Sequence, residues 1–252
     1  MATVSVVIPS LNDARMLRYC LAALAVQTRQ PDEIVVVDNG SSDDTAKVAR
    51  AAGARVITEP VRGVLRATAA GFDAASGEIL GRLDADSRPA PDWLERVERR
   101  FAADPTLAGV TGPGIFYGRG PVSRFVGQYI YIGGYFWFMK LFLGQVPVFG
   151  SNMALRREAW LDARERIHLQ DPRMHDDLDI SFALAPEMFV ELDRSLRVKV
   201  SARPFDDVSG LKRRVGWAFY SMRLYFGEVS WWRRRRLRAA ARRNRSSRAF
   251  RD

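Results

Sequence analysis

The amino-acid sequence predicts an α/β protein that is built on a mainly parallel sheet. Short runs rich in β-branched residues alternate with helical patterns over the first hundred residues, which is typical of βαβ units. Polar residues follow these runs directly, as they do at the carboxyl edge of such sheets. The length of 252 residues and the hydrophobic content of 47% are sufficient for one large buried core.

The first half of the chain gives the clearest element predictions. Val4–Ile8 is an apolar run of strand length, and Leu17, Leu21 and Leu24 lie on one face of the helix that follows. Pro91 is a favourable residue for the start of a later helix. The predicted strands are Val4–Ile8, Ile34–Val37, Arg55–Thr58 and Ile79–Leu83, and the predicted helices are Ala14–Val26, Leu65–Ala75 and Pro91 to about Ala102.

The helix after the second strand has two candidate N-caps, Ser41 and Ser42, because short hydroxyl side chains bond to free amides at a helix start. Further along, Val110–Gly120 is predicted to be a strand followed by a loop. Phe125–Phe149 is strongly aromatic, and its pattern leaves open whether it is core or an interfacial helix. Another helix begins near Asp176. One apolar stripe with helical spacing follows, formed by Leu211, Val215, Phe219, Met222, Phe226 and Val229.

Cysteine content and hydropathy restrict the cellular location. Cys20 is the single cysteine, so no intrachain disulfide forms and a reducing compartment fits. The first residues lack the basic and apolar regions of a secretory signal. Arg124 and Lys140 enclose 15 uncharged residues, whereas a membrane span needs about 20 apolar ones. We therefore expect a cytoplasmic protein without a transmembrane span.

The net charge of +10 is concentrated near the C-terminus. From Arg203 onward there are 15 basic and 4 acidic residues, against 24 and 25 in residues 1–202. Trp231, Trp232 and the cluster Arg233–Arg236 follow the apolar stripe, a combination found in membrane-surface helices. We expect an anionic membrane surface as a partner, and no nucleic acid, since no recognisable nucleic-acid module accompanies the charge. The alternative is a stripe that packs on the body beside solvated arginines.

Candidate chemistry lies in the polar residues after the strands. No G-x-G-x-x-G follows the first strand and no G-x-x-x-x-G-K-[ST] occurs, which argues against dinucleotide-binding and P-loop proteins. Asp84 and Asp86, with Arg82 and Arg88 nearby, suit a hard cation such as Mg²⁺ or Mn²⁺ that also binds a diphosphate. On spacing alone, a solvated acidic turn before Pro89 remains the alternative.

Six short motifs occur in order over about 180 residues of the chain, as far as Phe182. They are Val6–Asn12, Val35–Asp43, Ala74–Ile79, Leu83–Asp86, Gly150–Arg156 and His175–Asp179. In this order they resemble the inverting glycosyltransferase family 2, with its GT-A fold. The resemblance implies a nucleotide-sugar donor and a divalent metal, Mn²⁺ or Mg²⁺.

The resemblance also implies roles on the donor side. Asp84 would face the ribose or the metal, and Asp86 would ligate the metal that bridges the diphosphate. Thr68 and Ala69 stand where the family often has an Arg-Asn pair. Arg66 would then contact the diphosphate, or it is a solvated helix arginine. The nucleoside pocket would be lined by Pro9, Ser10, Asn12 and Asp38.

On the acceptor side, the resemblance assigns Gly150, Ser151 and Asn152 to the shape of the site. Asp177 would be the catalytic base and Asp176 its neighbour, although Asp176 is one methylene shorter than the family's Glu. Inverting transfer is a direct displacement in which a carboxylate takes the acceptor proton and a metal offsets charge on the leaving group. The alternative role for Asp177 is to stabilise the helix N-terminus.

The expected organisation is a GT-A catalytic domain over 1–207, with a nucleotide-sugar-binding half (1–110) and an acceptor-side half (111–207), and an amphipathic, Arg-rich extension over 208–252. We expect peripheral membrane association and a lipid-linked or cell-envelope glycan as acceptor. Two other functions remain open: a nucleotidyltransferase that makes nucleotide sugars, and a non-catalytic membrane scaffold. The first usually needs a glycine-rich loop, which Ser10–Arg15 lacks.

Overall fold

A mixed sheet forms the centre of the protein. The computed structural model describes residues 1–118, 120, 125, 127, 132–203 and 208–249. Within these residues the strands are β1 (Val4–Ser10), β2 (Glu33–Asp38), β3 (Arg55–Thr58), β4 (Ile79–Arg82), β5 (Arg88–Pro89), β6 (Leu107–Thr111), β7 (Gly114–Tyr117), β8 (Met153–Arg156), β9 (Phe189–Leu192) and β10 (Val198–Ser201).

Seven strands form the main sheet, in the order β3-β2-β1-β4-β8-β6-β9. Neighbours are parallel except that β8 runs antiparallel to both β4 and β6. β1 is buried along its whole length, because helices cover both faces and an unbroken apolar run therefore suits it better than an alternating one. The predicted α/β class with a mainly parallel sheet is confirmed.

Helices pack on both faces of this sheet. Leu17 and Leu24 of the first helix join one core cluster, and Phe72 of the third joins the other. Gly71 allows the third helix a close approach, since a Cβ atom there would lie 2.3 Å from Cγ1 of Val7. The described helices are α1 (Ala14–Ala25), α2 (Thr45–Ala51), α3 (Val64–Ala74), α4 (Trp93–Ala103), α5 (Gly133–Leu143), α6 (Arg157–Arg164), α7 (Asp176–Ala183), α8 (Val208–Glu228) and α9 (Trp231–Ala249).

Element boundaries in the first hundred residues agree with the predicted ones to within two residues. The predicted serine cap is wrong, however. Asp44 precedes α2 and makes no cap bond with its side chain, and it is Asp43, not a serine, that accepts a hydrogen bond from the Thr45 amide, at 3.0 Å. Ser41 instead accepts a hydrogen bond from the amide of Asn12 at 3.0 Å, because the loop after β1 lies beside it.

The segment Val110–Gly120 contains the end of one strand and all of a second. β6 belongs to the main sheet, whereas β7 pairs with β10 in a small sheet of order β5-β10-β7. This small sheet carries Tyr117, whose hydroxyl donates to the backbone carbonyl of Asp86 at 2.8 Å. The small sheet therefore borders the loop after β4.

The aromatic segment contributes both to the core and to the surface. Phe136 and Met139 of α5 are buried, whereas Trp137 is 73% exposed. Residues 126 and 128–131 of this segment lie outside the described residues, as does the predicted domain boundary within 204–207.

The C-terminal extension divides in a similar way. Met222 of α8 is buried and Phe226 packs partly buried against the core, whereas Val215 and Phe219 are exposed, so only part of the predicted apolar stripe packs on the body. Arg234 and Arg238 of α9 are also buried, so not all of these arginines are available to an anionic surface. None of the described helices combines the length and apolar character that a membrane crossing requires.

Candidate active site

The carboxyl ends of β1, β2 and β4 lie side by side, and predicted donor residues occupy them. Ser10 and Asp38 end β1 and β2 and are paired in register. Pro9 precedes Ser10 in the buried strand, and Asp84 follows β4, which pairs with β1 on its other side. Ligands of open α/β sheets bind at such an edge.

Asn12 shapes the loop after β1. Its φ of 52° lies in the left-handed region, which Asn tolerates better than most residues. Its side-chain oxygen accepts a hydrogen bond from the Ser42 amide at 2.7 Å. Asp38 in turn accepts one from the Ser41 amide at 2.9 Å, so the loops after β1 and β2 are fixed to each other.

Arg66 reaches towards the second half of the chain. Its Nη2 donates to the side-chain oxygen of Gln170 at 2.5 Å, in the segment before α7. Thr68 and Ala69, two and three residues further along, are buried. The side chain of Arg66 therefore connects helix α3, on the donor side, to the segment before α7, the helix that carries the predicted base.

Arg82, the last residue of β4, is buried and contacts two carboxylate groups. The first is formed by Asp84 and Asp86 after β4, and the second by Asp176 and Asp177 at the start of α7. Nη2 lies 2.8 Å from Asp84 and 3.0 Å from Asp176, and Nη1 lies 3.3 Å from Asp177. Burial opposes its charge, but the surrounding carboxylates, Asp84 first, raise the pKa of Arg82 above its usual value. The sequence indicated Arg82 only as a neighbour of a diphosphate. The sequence signal for this role was a basic residue at the end of an otherwise apolar, buried strand.

Gly150 is required by this arrangement. A Cβ atom at this position would lie 1.3 Å from Nη1 of Arg82 and 2.3 Å from Oδ1 of Asp177. The amide of Gly150 also hydrogen-bonds Asp177. The next residue, Ser151, donates its hydroxyl hydrogen to Asp84. This loop therefore contacts both carboxylate groups.

Asn152 supports the loop from behind. Its side chain is completely buried and donates to the carbonyl of Leu196 at 2.8 Å and of Pro113 at 3.2 Å. Its side-chain oxygen accepts a hydrogen bond from Nε1 of Trp93 at 2.8 Å. All of these partners belong to the protein interior, so Asn152 holds Ser151 in place.

Asp86 has a partner that the sequence pattern did not indicate. Nη2 of Arg203 lies 2.9 Å from Asp86 and 2.6 Å from Asp13. Burial and the nearby Asp84 raise the pKa of Asp86 to about 6, against the effect of Arg203. Because 117 residues separate Asp86 and Arg203, no local motif marks the pair.

The predicted base lies at the start of α7. Asp176 and Asp177 are both buried. Burial, followed by the charge of Asp176, raises the pKa of Asp177 well above its usual value, although Arg82 opposes the shift. His175, Asp176 and Asp177 form a possible metal-ligand group, with one ligand atom from each within 4.8 Å of the others.

A second network holds α7 in its middle. Asp179 is fully buried and accepts hydrogen bonds from the amide of His168 at 2.8 Å and the hydroxyl of Tyr225 at 2.8 Å. Nδ1 of His168 lies 2.9 Å from the same carboxylate. Burial raises the pKa of Asp179, against these hydrogen bonds. His168 is thus a structural partner of α7.

Both carboxylate groups line a common cavity of about 250 Å³. Its charged lining residues include Arg82, Asp84, Asp86, Asp176 and Asp177. Its apolar lining includes Phe116, Phe149, Val200 and Trp217. Trp217 belongs to α8, so the C-terminal extension contributes to the cavity.

The charge balance around this cavity fits a divalent cation. Two guanidiniums, of Arg82 and Arg203, face five carboxylates, those of Asp13, Asp84, Asp86, Asp176 and Asp177. Carboxylate oxygens are the ligands that Mg²⁺ prefers, and Mn²⁺ accepts them too. A cation here would relieve the repulsion that raises the pKa of Asp86.

Comparison with known proteins gives relatives over part of the chain. Glycosyltransferase AglE of Haloferax volcanii is 39% identical over 101 residues, which are 37% of this chain and 33% of that protein. Undecaprenyl-phosphate 4-deoxy-4-formamido-L-arabinose transferase of Serratia proteamaculans is 36% identical over 104 residues, 37% of this chain and 32% of that protein. The chain thus matches about a third of the length of each relative.

A solved structure matches most of the chain. Glucosyl-3-phosphoglycerate synthase from Mycobacterium tuberculosis, in complex with Mn²⁺, UDP and glucosyl-3-phosphoglycerate, superposes with a TM-score of 0.62 at 22% identity. The match covers 88% of this chain and 80% of that chain. At this identity the likeness shows the fold, and it confirms the predicted GT-A-like architecture.

The sequence itself matches the model of one protein family, described as glycosyl transferase family 2, over residues 5–164. This range is more than half of the chain and includes the ends of β1, β2 and β4 and the loop at Gly150, whereas Asp176 and Asp177 lie beyond it. The chain belongs to glycosyl transferase family 2.

Proposed function

We propose that the protein moves a sugar from a nucleoside-diphosphate sugar to an acceptor hydroxyl, with inversion and with a divalent metal. The observation that carries this proposal is the cavity lined by two carboxylate groups, Asp84 and Asp86 after β4 and Asp176 and Asp177 at the start of α7. Inverting transfer needs carboxylates with two separate duties, to hold a metal at the leaving group and to take a proton.

The nucleoside would bind at the ends of β1 and β2. The hydroxyl of Ser10 is buried and has no hydrogen-bond partner among the described residues, so a bound ligand can supply one. Asn12 and Asp38 fix the neighbouring loops, and Pro9 anchors Ser10 in the strand. The structural relative from M. tuberculosis was solved with UDP and Mn²⁺, which makes UDP the first nucleotide to test.

Asp86, with Asp84 beside it, is the proposed metal-holding side. The metal would stabilise negative charge on the leaving diphosphate. Arg66 of α3 would contact the diphosphate; Val64, the first residue of the same helix, lines the cavity. The excess of carboxylates over guanidiniums supports a cation at this position.

Asp177 is the proposed base. A base works best when its pKa approaches the operating pH, and burial beside Asp176 raises the pKa of Asp177 in that direction. Arg82 and the amide of Gly150 fix the orientation of the carboxylate. Asp177 would take the proton from the acceptor hydroxyl as that oxygen attacks the anomeric carbon and the nucleoside diphosphate leaves.

Gly150 and Ser151, supported by Asn152, would shape the acceptor side. We propose a lipid-linked or cell-envelope glycan as acceptor. The apolar lining that includes Trp217 suits a sugar ring of the acceptor or the part of the acceptor that is next to its lipid. The S. proteamaculans relative is named as a transferase for undecaprenyl phosphate, which supports a lipid-linked acceptor.

Peripheral binding to an anionic membrane is the second part of the proposal. Trp137 of α5 is 73% exposed and Trp232 of α9 is 61% exposed, and these two helices are in contact through Phe142 and Trp231. Exposed Arg233 directly follows Trp232. Aromatic side chains with neighbouring cations are typical of membrane-surface helices.

The first prediction concerns the metal. In Asp86→Ala, the stabilisation of the protein by UDP should no longer increase when Mn²⁺ is added, because the main proposed ligand is absent. Thermal shift with UDP, GDP and dTDP, each with and without Mn²⁺, measures this effect. Asp92→Ala is the control, since Asp92 lies outside the cavity and pairs with Arg96. A mutant that responds to Mn²⁺ like the wild type would exclude this role of Asp86.

The second prediction concerns the base. Asp177→Asn keeps the size and polarity of the side chain but cannot take a proton, so sugar transfer should fall by about 10²–10⁴-fold. Affinity for the donor should remain, because the proposed nucleoside and metal residues lie on other loops. Asp176→Asn should cost less. Transfer rates and donor affinity, measured on the same samples, test this, and wild-type transfer by Asp177→Asn would refute the mechanism.

The third prediction concerns the membrane. Deletion of 208–252 would remove buried Met222 and Tyr225, so point variants are the better test. Trp137→Ala and Trp232→Ala should weaken sedimentation with phosphatidylglycerol vesicles, and salt should weaken binding of the wild type. Leu161→Ala, which alters a side chain 53% exposed on α6, is the control. Equal binding of all three variants would contradict the proposed surface.

A further inference from the structure

The two C-terminal helices contact the short helix α7 at its start, its middle and its end. The amide of His175, just before α7, donates to the Ser221 hydroxyl at 3.0 Å. Tyr225 bonds Asp179 in the middle, at 2.8 Å. Arg234 and Arg238 of α9 reach the other end. The helix that begins with Asp176 and Asp177 is therefore held by residues that lie more than 40 positions further along the chain.

The contacts at the end of α7 are the most unusual. Nη1 of Arg234 donates to the carbonyl of Phe182 at 2.8 Å. Nη2 of Arg238 donates to the carbonyl of Leu184 at 3.0 Å. Nη1 of Arg238 also lies 3.2–3.4 Å from three further carbonyls, those of Ala185, Pro186 and Met188.

Both guanidiniums are buried without a carboxylate partner. Arg234 is 8% exposed and Arg238 is 1% exposed. Among the described residues, neither forms an ion pair within 4.0 Å. Burial lowers the pKa of both arginines, and the more distant charges of Glu228 near Arg234 and Glu187 near Arg238 only partly oppose this effect. A buried charge without an opposite charge is unfavourable unless fixed dipoles stabilise it. The last carbonyls of a helix lack partners within the helix and carry partial negative charge, so they stabilise a cation.

A displacement of the C-terminal end of α7 would move its N-terminal end, where the proposed base lies. The helix α7 has eight residues and is about 12 Å long, so its two ends are rigidly connected by one short hydrogen-bonded segment. Ser181 links the same helix to the loop that leads to Gly150, because its hydroxyl accepts a hydrogen bond from the Val148 amide at 3.0 Å and donates to the carbonyl of Asp177 at 2.5 Å. Displacement of the C-terminal end would therefore shift Asp177 against Arg82 and Gly150.

We propose that Arg234 and Arg238 are positioning residues, which fix the helix that carries the base by binding backbone carbonyls at its C-terminal end and just beyond it. The inference rests on the proposed function only where it assigns the base to Asp177. Part of the Arg-rich extension then serves the catalytic site from within the protein. Within the part of the chain that the structure describes, exposed Arg236 of the same helix makes no such contact with α7.

The test compares Arg238→Met with Arg236→Met in the full-length protein. Both variants remove one guanidinium from α9, but Arg236 is exposed. Titration of UDP with Mn²⁺ in a calorimeter gives the dissociation constant and the fraction of molecules that bind. Turnover of a nucleotide sugar is then expressed per binding-competent molecule, so that a loss of folded protein does not count as a loss of catalysis.

We expect turnover per competent molecule to fall by about 10-fold to 10²-fold in Arg238→Met, because a shift of about 1 Å in a catalytic group is sufficient for such a loss. The dissociation constant should stay as in the wild type, and Arg236→Met should change neither quantity. Wild-type turnover per competent molecule in Arg238→Met would overturn the proposal. If Arg238→Met does not fold, Arg234→Lys, which keeps the charge but not the planar fork, is judged by the same comparison.

Hydrogen–deuterium exchange provides a readout that needs no activity. The amides of residues 176–183 should exchange faster in Arg238→Met than in Arg236→Met, and equal exchange would overturn the positioning role. If the wild type turns over no nucleotide sugar, that result counts against the proposed function, and the exchange comparison still decides the role of Arg238. The same exchange comparison applies to Arg234→Lys.

Discussion

The guanidinium of Arg82 lies between carboxylates from two distant parts of the chain. It bonds Asp84, two residues away, and Asp177, 95 residues away, and Asp176 lies 3.0 Å from the same group. Like charges this close would repel one another and take up protons if no cation lay between them. The loop at Gly150 can pass the guanidinium only because it has no side chain there. The cavity and its two carboxylate groups therefore depend on Arg82.

The C-terminal extension contacts the cavity and helix α7 through helices that lie outside the sheet. Trp217 forms part of the cavity wall, Tyr225 binds Asp179, and Arg238 binds carbonyls beyond the end of α7. The basic composition of this segment thus has two physical uses. Buried arginines bind backbone carbonyls, and exposed ones such as Arg233 leave positive charge at the surface, which the proposed contact with an anionic membrane would use.

Local patterns were sufficient to predict the strand ends, because an apolar run followed by polar residues is contained within a few positions. They correctly indicated the α/β class and the family, but the serine cap before α2 was wrong, since Ser41 bonds the loop at Asn12 instead. Long-range pairs left no such pattern. The contact between Arg203 and Asp86 and the caps formed by Arg234 and Arg238 depend on how distant segments pack.

If buried Arg82 holds the two carboxylate groups together, its removal should lower the free energy of unfolding, which can be measured in Arg82→Met. Removal of one partner of a buried ion pair usually costs about 3–5 kcal/mol, and urea denaturation can measure such a loss. Arg55→Met is the control, because Arg55 forms an ion pair with Glu33 at the surface, where a pair contributes about 1 kcal/mol or less. We predict a loss of about 3–5 kcal/mol for Arg82→Met. A loss no larger than that of Arg55→Met would show that Arg82 does not hold the carboxylate groups together.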